Sequence, residues 1–285
     1  MKSISPLMAV RLAAVLALAS LALAATAAPV SIGGAGATYV QNFDTLATTG
    51  TANAWANGTT LAGWNLFVQP APGTAVTAYS SGDGTSNTGS FYSFGSTGSG
   101  ERAMGGLGSA GTYFGSPATP VNSAAGWIAL QITNNSGQNL DGFSLSFDGE
   151  QWRNGGNTTA QTMVLQYGFG SSFTSVGNWV QPGGLFDWTS TVNTATAASV
   201  DGNVAGKVSG RGGAVSTTWN AGDSLWVRWV ETNDTGNDHG LAIDNLSFTA
   251  GQALPAAVPL PMTFPLLGAG LAVMGWVGRR WRLSV

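Results

Sequence analysis

The chain has 285 residues, with ten Lys and Arg against thirteen Asp and Glu, one histidine and no cysteine. The lack of cysteine excludes disulfides, thiolate nucleophiles and thiolate metal sites, and a single histidine excludes a multi-histidine zinc centre. Half of the basic residues sit at the two ends, so the region between them is strongly acidic; this excludes nucleic acid as a partner, because phosphate neutralisation needs clustered Lys and Arg.

The first element is a leader over residues 1–27. Lys2 and Arg11 precede an apolar run from Leu12 to Ala24, and Ala25-Thr26-Ala27 supplies small residues for cleavage. This order reads as a secretory signal peptide, handled by the Sec export machinery.

The body, residues 28–250, is long enough to bury a core without covalent staples. Its apolar residues alternate with polar ones. Ile128, Leu130 and Ile132 share one parity, as do Phe143, Leu145 and Phe147, then Met163, Leu165 and Tyr167, and finally Leu225, Val227 and Trp229. Period two is the pattern of half-buried strands, and no stretch of the body carries a 3.6-residue stripe. Turn residues that tolerate positive φ separate these runs at Asn134–Gly137, Asn154–Asn157, Pro182–Gly184 and Asn220–Gly222. The pattern predicts an all-β fold, an antiparallel jelly-roll-like β-sandwich. In the last run Leu241 and Ile243 have one parity and Leu246 and Phe248 the other, so a β-bulge near Asp244-Asn245 is expected to keep all four inward. The stretches Ser80–Ser90 and Gly95–Gly100 read as loops.

Charged side chains are scarce in the body and several are neighbours: Glu101 with Arg102, Glu150 with Arg153, Arg228 with Glu231. Ion pairing between strands is the expectation for them. Asp148 and Glu150 lie two apart on one predicted strand and so face one side; a carboxylate pair of this kind is also what glycoside hydrolysis requires. Near the last strand, Asn233, Asp234, Asn237 and Asp238 gather oxygen ligands on a glycine-bent loop. Asp244 at the bulge, and Asp44 if the first and last strands pair, can add carboxylates, so a structural calcium site is one reading of this set. The other is a solvated Asn/Asp turn. His239 has no Gly-x-Ser-x-Gly elbow to serve, and no catalytic residue is assigned. Nine of the eleven tryptophans lie in the body. Trp64, Trp127, Trp226 and Trp229 fall within alternating strands; Trp152, Trp179, Trp188 and Trp219 flank turns and are the candidates for exposed sugar-stacking rings.

After an Ala/Pro spacer at 251–257, the chain ends in Val258-Pro259-Leu260-Pro261, an apolar run over 262–278, and Arg279, Arg280 and Arg282. At ~1.5 Å rise per residue the run nearly matches a hydrocarbon core of ~30 Å as a helix. The arginines would then stay cytoplasmic.

Residues 258–285 resemble the PEP-CTERM class of bacterial sorting signals, in the variant with Val-Pro-Leu-Pro as its motif. The resemblance rests on Val258 to Pro261, the Leu266–Leu271 run and the Arg279-Arg280 end. It implies recognition by an exosortase-type membrane peptidase, cleavage near the proline motif and delivery to the cell surface or extracellular matrix. The body is similar to a β-sandwich region of secreted bacterial proteins that often carry such tails and have no assigned activity. The matching segments include Gly100–Ala103, Gly149-Glu150-Gln151-Trp152-Arg153, Trp226–Trp229 and Gly240–Asn245. The expectation is therefore an exported, surface-retained protein that is not an enzyme. A module binding exopolysaccharide is the alternative, and a glycoside hydrolase ranks third.

Overall fold

In the computed structural model the described residues are 29–69, 73–109 and 119–254. The expected signal peptide and sorting tail, with its apolar segment 262–278, lie outside them. Among the described residues no helix is long and apolar enough to cross a membrane.

The alternating runs form long strands, joined by shorter ones that the pattern did not single out. In chain order these are β1 (Val30–Ile32), β2 (Thr38–Gln41), β3 (Asn53–Ala54), β4 (Trp64–Val68), β5 (Thr74–Ala75), β6 (Ala78–Gly82), β7 (Ser90–Phe94) and β8 (Ala103–Leu107). They continue as β9 (Ser123–Asn134), β10 (Leu140–Asn154), β11 (Thr162–Phe169), β12 (Trp188–Thr189), β13 (Ala198–Ser199), β14 (Lys207–Trp219), β15 (Ser224–Asn233) and β16 (Gly240–Ala250). One-turn 3-10 helices at Phe173–Ser175 and Gly184–Phe186 are the helical segments among the described residues. The fold is thus an all-β sandwich of two sheets.

The seven-stranded sheet runs β12-β11-β15-β9-β4-β5, with β1 alongside β9; the nine-stranded sheet runs β13-β10-β16-β8-β7-β6-β3, with β14 on β10 and β2 on β16. Most pairs are antiparallel, as expected, but β1–β9 and β6–β7 are parallel. The stretch Ser80–Ser90, read as a loop, contains the end of β6 and the first residue of β7.

Parity decides the interior. Phe143, Leu145, Phe147, Leu225, Val227 and Trp229 all point between the sheets and are buried. Trp64 stacks on Trp229 at 5.7 Å, and Phe147 meets Trp229 edge-on at 5.4 Å. Burying a large apolar side chain contributes about 1.5–3 kcal/mol, so this aromatic seam between β4, β10 and β15 is a principal tie between the layers. The predicted bulge is present. Ser146 pairs with Ser247 but Asp148 pairs with Asp244, so β16 carries one extra residue there. Asn245 takes φ 50 to accommodate it, and Leu246 and Phe248 return to the core.

The outer faces are also covered. On the seven-stranded sheet, Phe67, Trp127, Ala129, Trp226 and Val230 are buried beneath Phe173 and Val176. On the nine-stranded sheet, Tyr92, Phe94, Ala103, Leu107, Trp152 and Ala242 form a third cluster.

Candidate functional site

From Ser144 to Trp152 the even-numbered residues of β10 face away from the core that Phe143, Leu145 and Phe147 enter. Asp148, Glu150 and Trp152 therefore line one side, as the two-residue spacing predicts. The register sets Glu150 opposite Ala242 and Asp148 opposite Asp244. Two chain segments roof this face. The β7–β8 connection brings Glu101 and Arg102, and the turn before β14 lies so close that a Cβ on Gly202 would sit 2.3 Å from the Trp152 ring.

Under that roof, one carboxylate oxygen each from Glu101, Glu150 and Asp244 lies within 4.8 Å of the other two. Glu150 is 0% exposed and Asp244 2%. Glu150 Oε2 accepts a hydrogen bond from Trp152 Nε1 at 3.0 Å, and Glu101 Oε2 accepts one from Asn203 Nδ2. Glu101 Oε1, Glu150 Oε1 and Asp244 Oδ1 are buried without a hydrogen-bond partner among the described residues. Burial, reinforced by the charge of Glu101, pushes the Glu150 carboxyl up to about 7. Burial again comes first for Asp244, which is pushed up to about 8 with the charges of Glu150, Glu101 and Asp44 adding to it.

The nearby cations offset the charge of the group only in part. Lys207 Nζ is 2.9 Å from Asp148 Oδ2 and 3.9 Å from Glu150 Oε1, so it is committed mainly to Asp148. Arg102 is buried, donates from Nη2 to the Ser99 carbonyl at 2.6 Å, and leaves Nε without a partner. The ion pairs expected from sequence neighbours are replaced by these. Arg153 Nη1 donates to the carbonyls of Gly84 and Thr85 rather than to Glu150. Arg228 donates to Gln166 Oε1 at 2.8 and 2.6 Å, and its guanidinium lies 3.7 Å from the Trp179 ring centre rather than on Glu231.

The six residues read as one calcium set fall into two places. Asp244 belongs to the acidic group just described. Because β2 pairs with β16, Asp44 is beside it, with Oδ1 accepting the Arg102 N–H at 2.9 Å. Asn233 ends β15, and Asp234, Asn237 and Asp238 lie on the β15–β16 connection, held by an internal bond and by bonds with neighbouring segments. Asp238 Oδ1 accepts the Asp234 N–H at 2.9 Å, and Asn233 Nδ2 donates to the Thr119 carbonyl at 2.6 Å. Asn157 and Gln161 donate to the Asn237 carbonyl at 3.0 and 2.9 Å. Glu101 and Glu150 escaped the calcium reading because they belong to segments far from the loop in sequence; the orphaned oxygens that mark them are a three-dimensional signal.

Buried Glu231 lies among the acids of that loop. Burial, followed by the charges of Asp238 and Asp234, pushes its carboxyl up to about 8. Burial also pushes Asp238 up to about 6. His239 is buried, with Nδ1 accepting the Gly155 N–H at 2.9 Å; burial lowers its basicity. A cleft of about 400 Å³ opens beside the loop, lined by Asn87, Arg153, Gly155, Asn233, Asn237 and Asp238 among others.

Three of the four tryptophans expected at the surface are interior. Trp152 is 1% exposed, Trp188 1% and Trp219 0%. A Cβ on Gly149 would lie 2.2 Å from the Trp188 ring, so the missing side chain of this glycine is what admits the indole. Trp219 meets Phe248 edge-on at 6.1 Å. Trp179 alone of the four is half-exposed, over Arg228.

The sequence matches no family model and no curated protein. Among solved structures, the chain is similar to the CBM22-1 xylan-binding domain from Paenibacillus barcinonensis Xyn10C, at 11% identity and a TM-score of 0.37, over 78% of this chain and 100% of that one. At that level of similarity nothing about a ligand follows for this chain.

Proposed function

We propose that the protein is an exported, surface-retained module that binds a neutral polysaccharide in the cleft beside the β15–β16 loop. The cleft itself carries this reading. Clefts of similar volume lie elsewhere on the surface, but on this one of about 400 Å³ amides, a guanidinium and a carboxylate converge. These planar groups offer paired donors and acceptors of the kind that vicinal sugar hydroxyls require. The acidic body disfavours polyanionic chains by repulsion, which leaves uncharged exopolysaccharide as the ligand class. Glycoside hydrolysis through Asp148 and Glu150 is disfavoured, since Glu150 is 0% exposed and a general acid must reach the glycosidic oxygen. The protein is read as non-enzymatic.

Delivery rests on the two ends: Sec-dependent export from residues 1–27, then retention and cleavage by an exosortase-type peptidase acting at Val258-Pro259-Leu260-Pro261, with Arg279 and Arg280 closing the tail. Mass spectrometry of protein from native envelopes should find a C-terminus near this motif; a chain intact through Val285 contradicts the processing step.

The binding test is affinity electrophoresis of the full-length chain in the producing cell's own exopolysaccharide. Asn87 and Asn237 are exposed, so a double Asn87→Ala, Asn237→Ala variant should fold normally and bind about tenfold more weakly, the value of roughly one to two hydrogen bonds. Absence of saturable binding, or equal binding by the variant, would overturn the assignment.

A further inference from the structure

We propose that Glu101, Glu150 and Asp244 form a calcium-binding centre that clamps the roof onto the outer face of the nine-stranded sheet. The cluster alone would not justify this; the orphaned oxygens do. Glu150 and Asp244 are each nearly inaccessible, yet each keeps a carboxylate oxygen without a hydrogen-bond partner among the described residues, as does Glu101, and one oxygen from each of the three lies within 4.8 Å of the others. A buried charged group without a partner costs several kcal/mol as a rule, and three in contact repel one another as well. Lys207 lies closer to Asp148, at 2.9 Å, than to Glu150 Oε1, at 3.9 Å, and Arg102 donates to the Ser99 carbonyl.

The geometry suits one ion. Calcium–oxygen contacts run about 2.3–2.6 Å, so ligands across one ion are at most about 5 Å apart, and the three oxygens lie within 4.8 Å of one another. All the ligands are hard oxygens, which favours calcium or magnesium over zinc or copper. Calcium is the better match, because it tolerates irregular carboxylate sets, whereas magnesium demands a near-ideal octahedron and retains most of its waters. Glu150 comes from β10, Asp244 from the bulge of β16 and Glu101 from the β7–β8 connection. A shared ion would tie three segments that are distant in sequence. The bulge has a purpose in this scheme: it returns Leu246 and Phe248 to the core while Asp244 stays on the outer side, opposite Asp148.

This inference does not depend on polysaccharide binding, and its test contains no glycan. The full-length chain is melted in excess calcium, in excess magnesium at equal ionic strength, and in chelator. Calcium at one hundred times its dissociation constant should raise the melting temperature by about 5–10 °C for a domain of this size, and magnesium should do much less. Glu150→Gln and Asp244→Asn should abolish the shift. In chelator both should melt at or above the wild-type temperature, since each removes a buried like charge, and this shows that they fold. Asp234→Asn, on the separate loop, should keep the full calcium response. Identical melting of the wild type in calcium and chelator would overturn the centre. So would a shift that survives both Glu150→Gln and Asp244→Asn, or one that disappears in Asp234→Asn instead.

Discussion

Two acidic regions of this molecule solve the same problem in opposite ways. The β15–β16 loop is contiguous in sequence, and its polar groups find partners: Asp238 accepts the Asp234 N–H, and Asn157 and Gln161, from the β10–β11 connection, donate to the carbonyl of Asn237. The group under the roof is assembled from three separate segments, and one oxygen of each carboxylate is left without a hydrogen-bond partner among the described residues. A loop rich in Asn and Asp readily finds backbone partners within its reach. Carboxylates brought together by tertiary structure have no such option, so an unsatisfied cluster of that kind points outward to a ligand more strongly than a loop rich in Asn and Asp.

The largest effect expected on either side of this contrast comes from Trp152→Ala. The indole lies under the Gly202 turn and donates to Glu150, so its loss should destabilise the chain by about 3–5 kcal/mol, the usual cost of emptying a buried tryptophan site. Denaturant unfolding measures this, and the calcium response should shrink with it while glycan binding persists. Gly155→Ala should act on the other region. Its Cβ would sit 2.2 Å from the Asp238 carbonyl, lifting the loop at a cost of about 1–3 kcal/mol. Polysaccharide affinity should fall while the calcium shift is retained. If either variant disturbs both readouts equally, the two regions are not separate.

The smallest effect at neutral pH concerns protons. Glu231 in the folded chain is raised from 4.5 to about 8, and Asp238 from 3.8 to about 6. The folded state therefore holds protons that the unfolded state has released. The stabilising contribution is complete below about pH 4 and is lost as pH rises through about 6 and then about 8. Melting temperature, followed in excess calcium, should decline over this window. Glu231→Gln should flatten the part above about pH 6 and reduce the slope below it, where Asp238 still contributes; an unaltered slope would show that Glu231 is not the group responsible.

The inward half of each long strand was legible because burial follows parity: Ile128, Leu130 and Ile132, or Met163, Leu165 and Tyr167, announce themselves by alternation. The bulge was legible as a phase slip for the same reason. The outward half was not, since what covers an outer face comes from elsewhere in the chain. Trp152 reads as a surface tryptophan until the Gly202 turn is laid over it, and Trp188 until Gly149 is seen to leave room for it. The candidate calcium residues divided along the same line. Asp244 was found through the bulge and Asp44 through a pairing with the last strand, which β2 rather than β1 makes, whereas Glu101 and Glu150 entered as neighbours of arginines with which they form no ion pair among the described residues, and Glu150 also as a partner of Asp148.

The most direct measurement is terbium luminescence excited through tryptophan in the full-length chain. Terbium takes calcium's oxygen ligands, and Trp152 donates to one of the proposed ligands at 3.0 Å, so sensitised emission should appear, fall on adding calcium, and drop sharply in Trp152→Phe but not in Trp179→Phe. Emission that ignores Trp152→Phe and Glu150→Gln, yet vanishes in Asp234→Asn, would place the ion in the β15–β16 loop and contradict the centre under the roof.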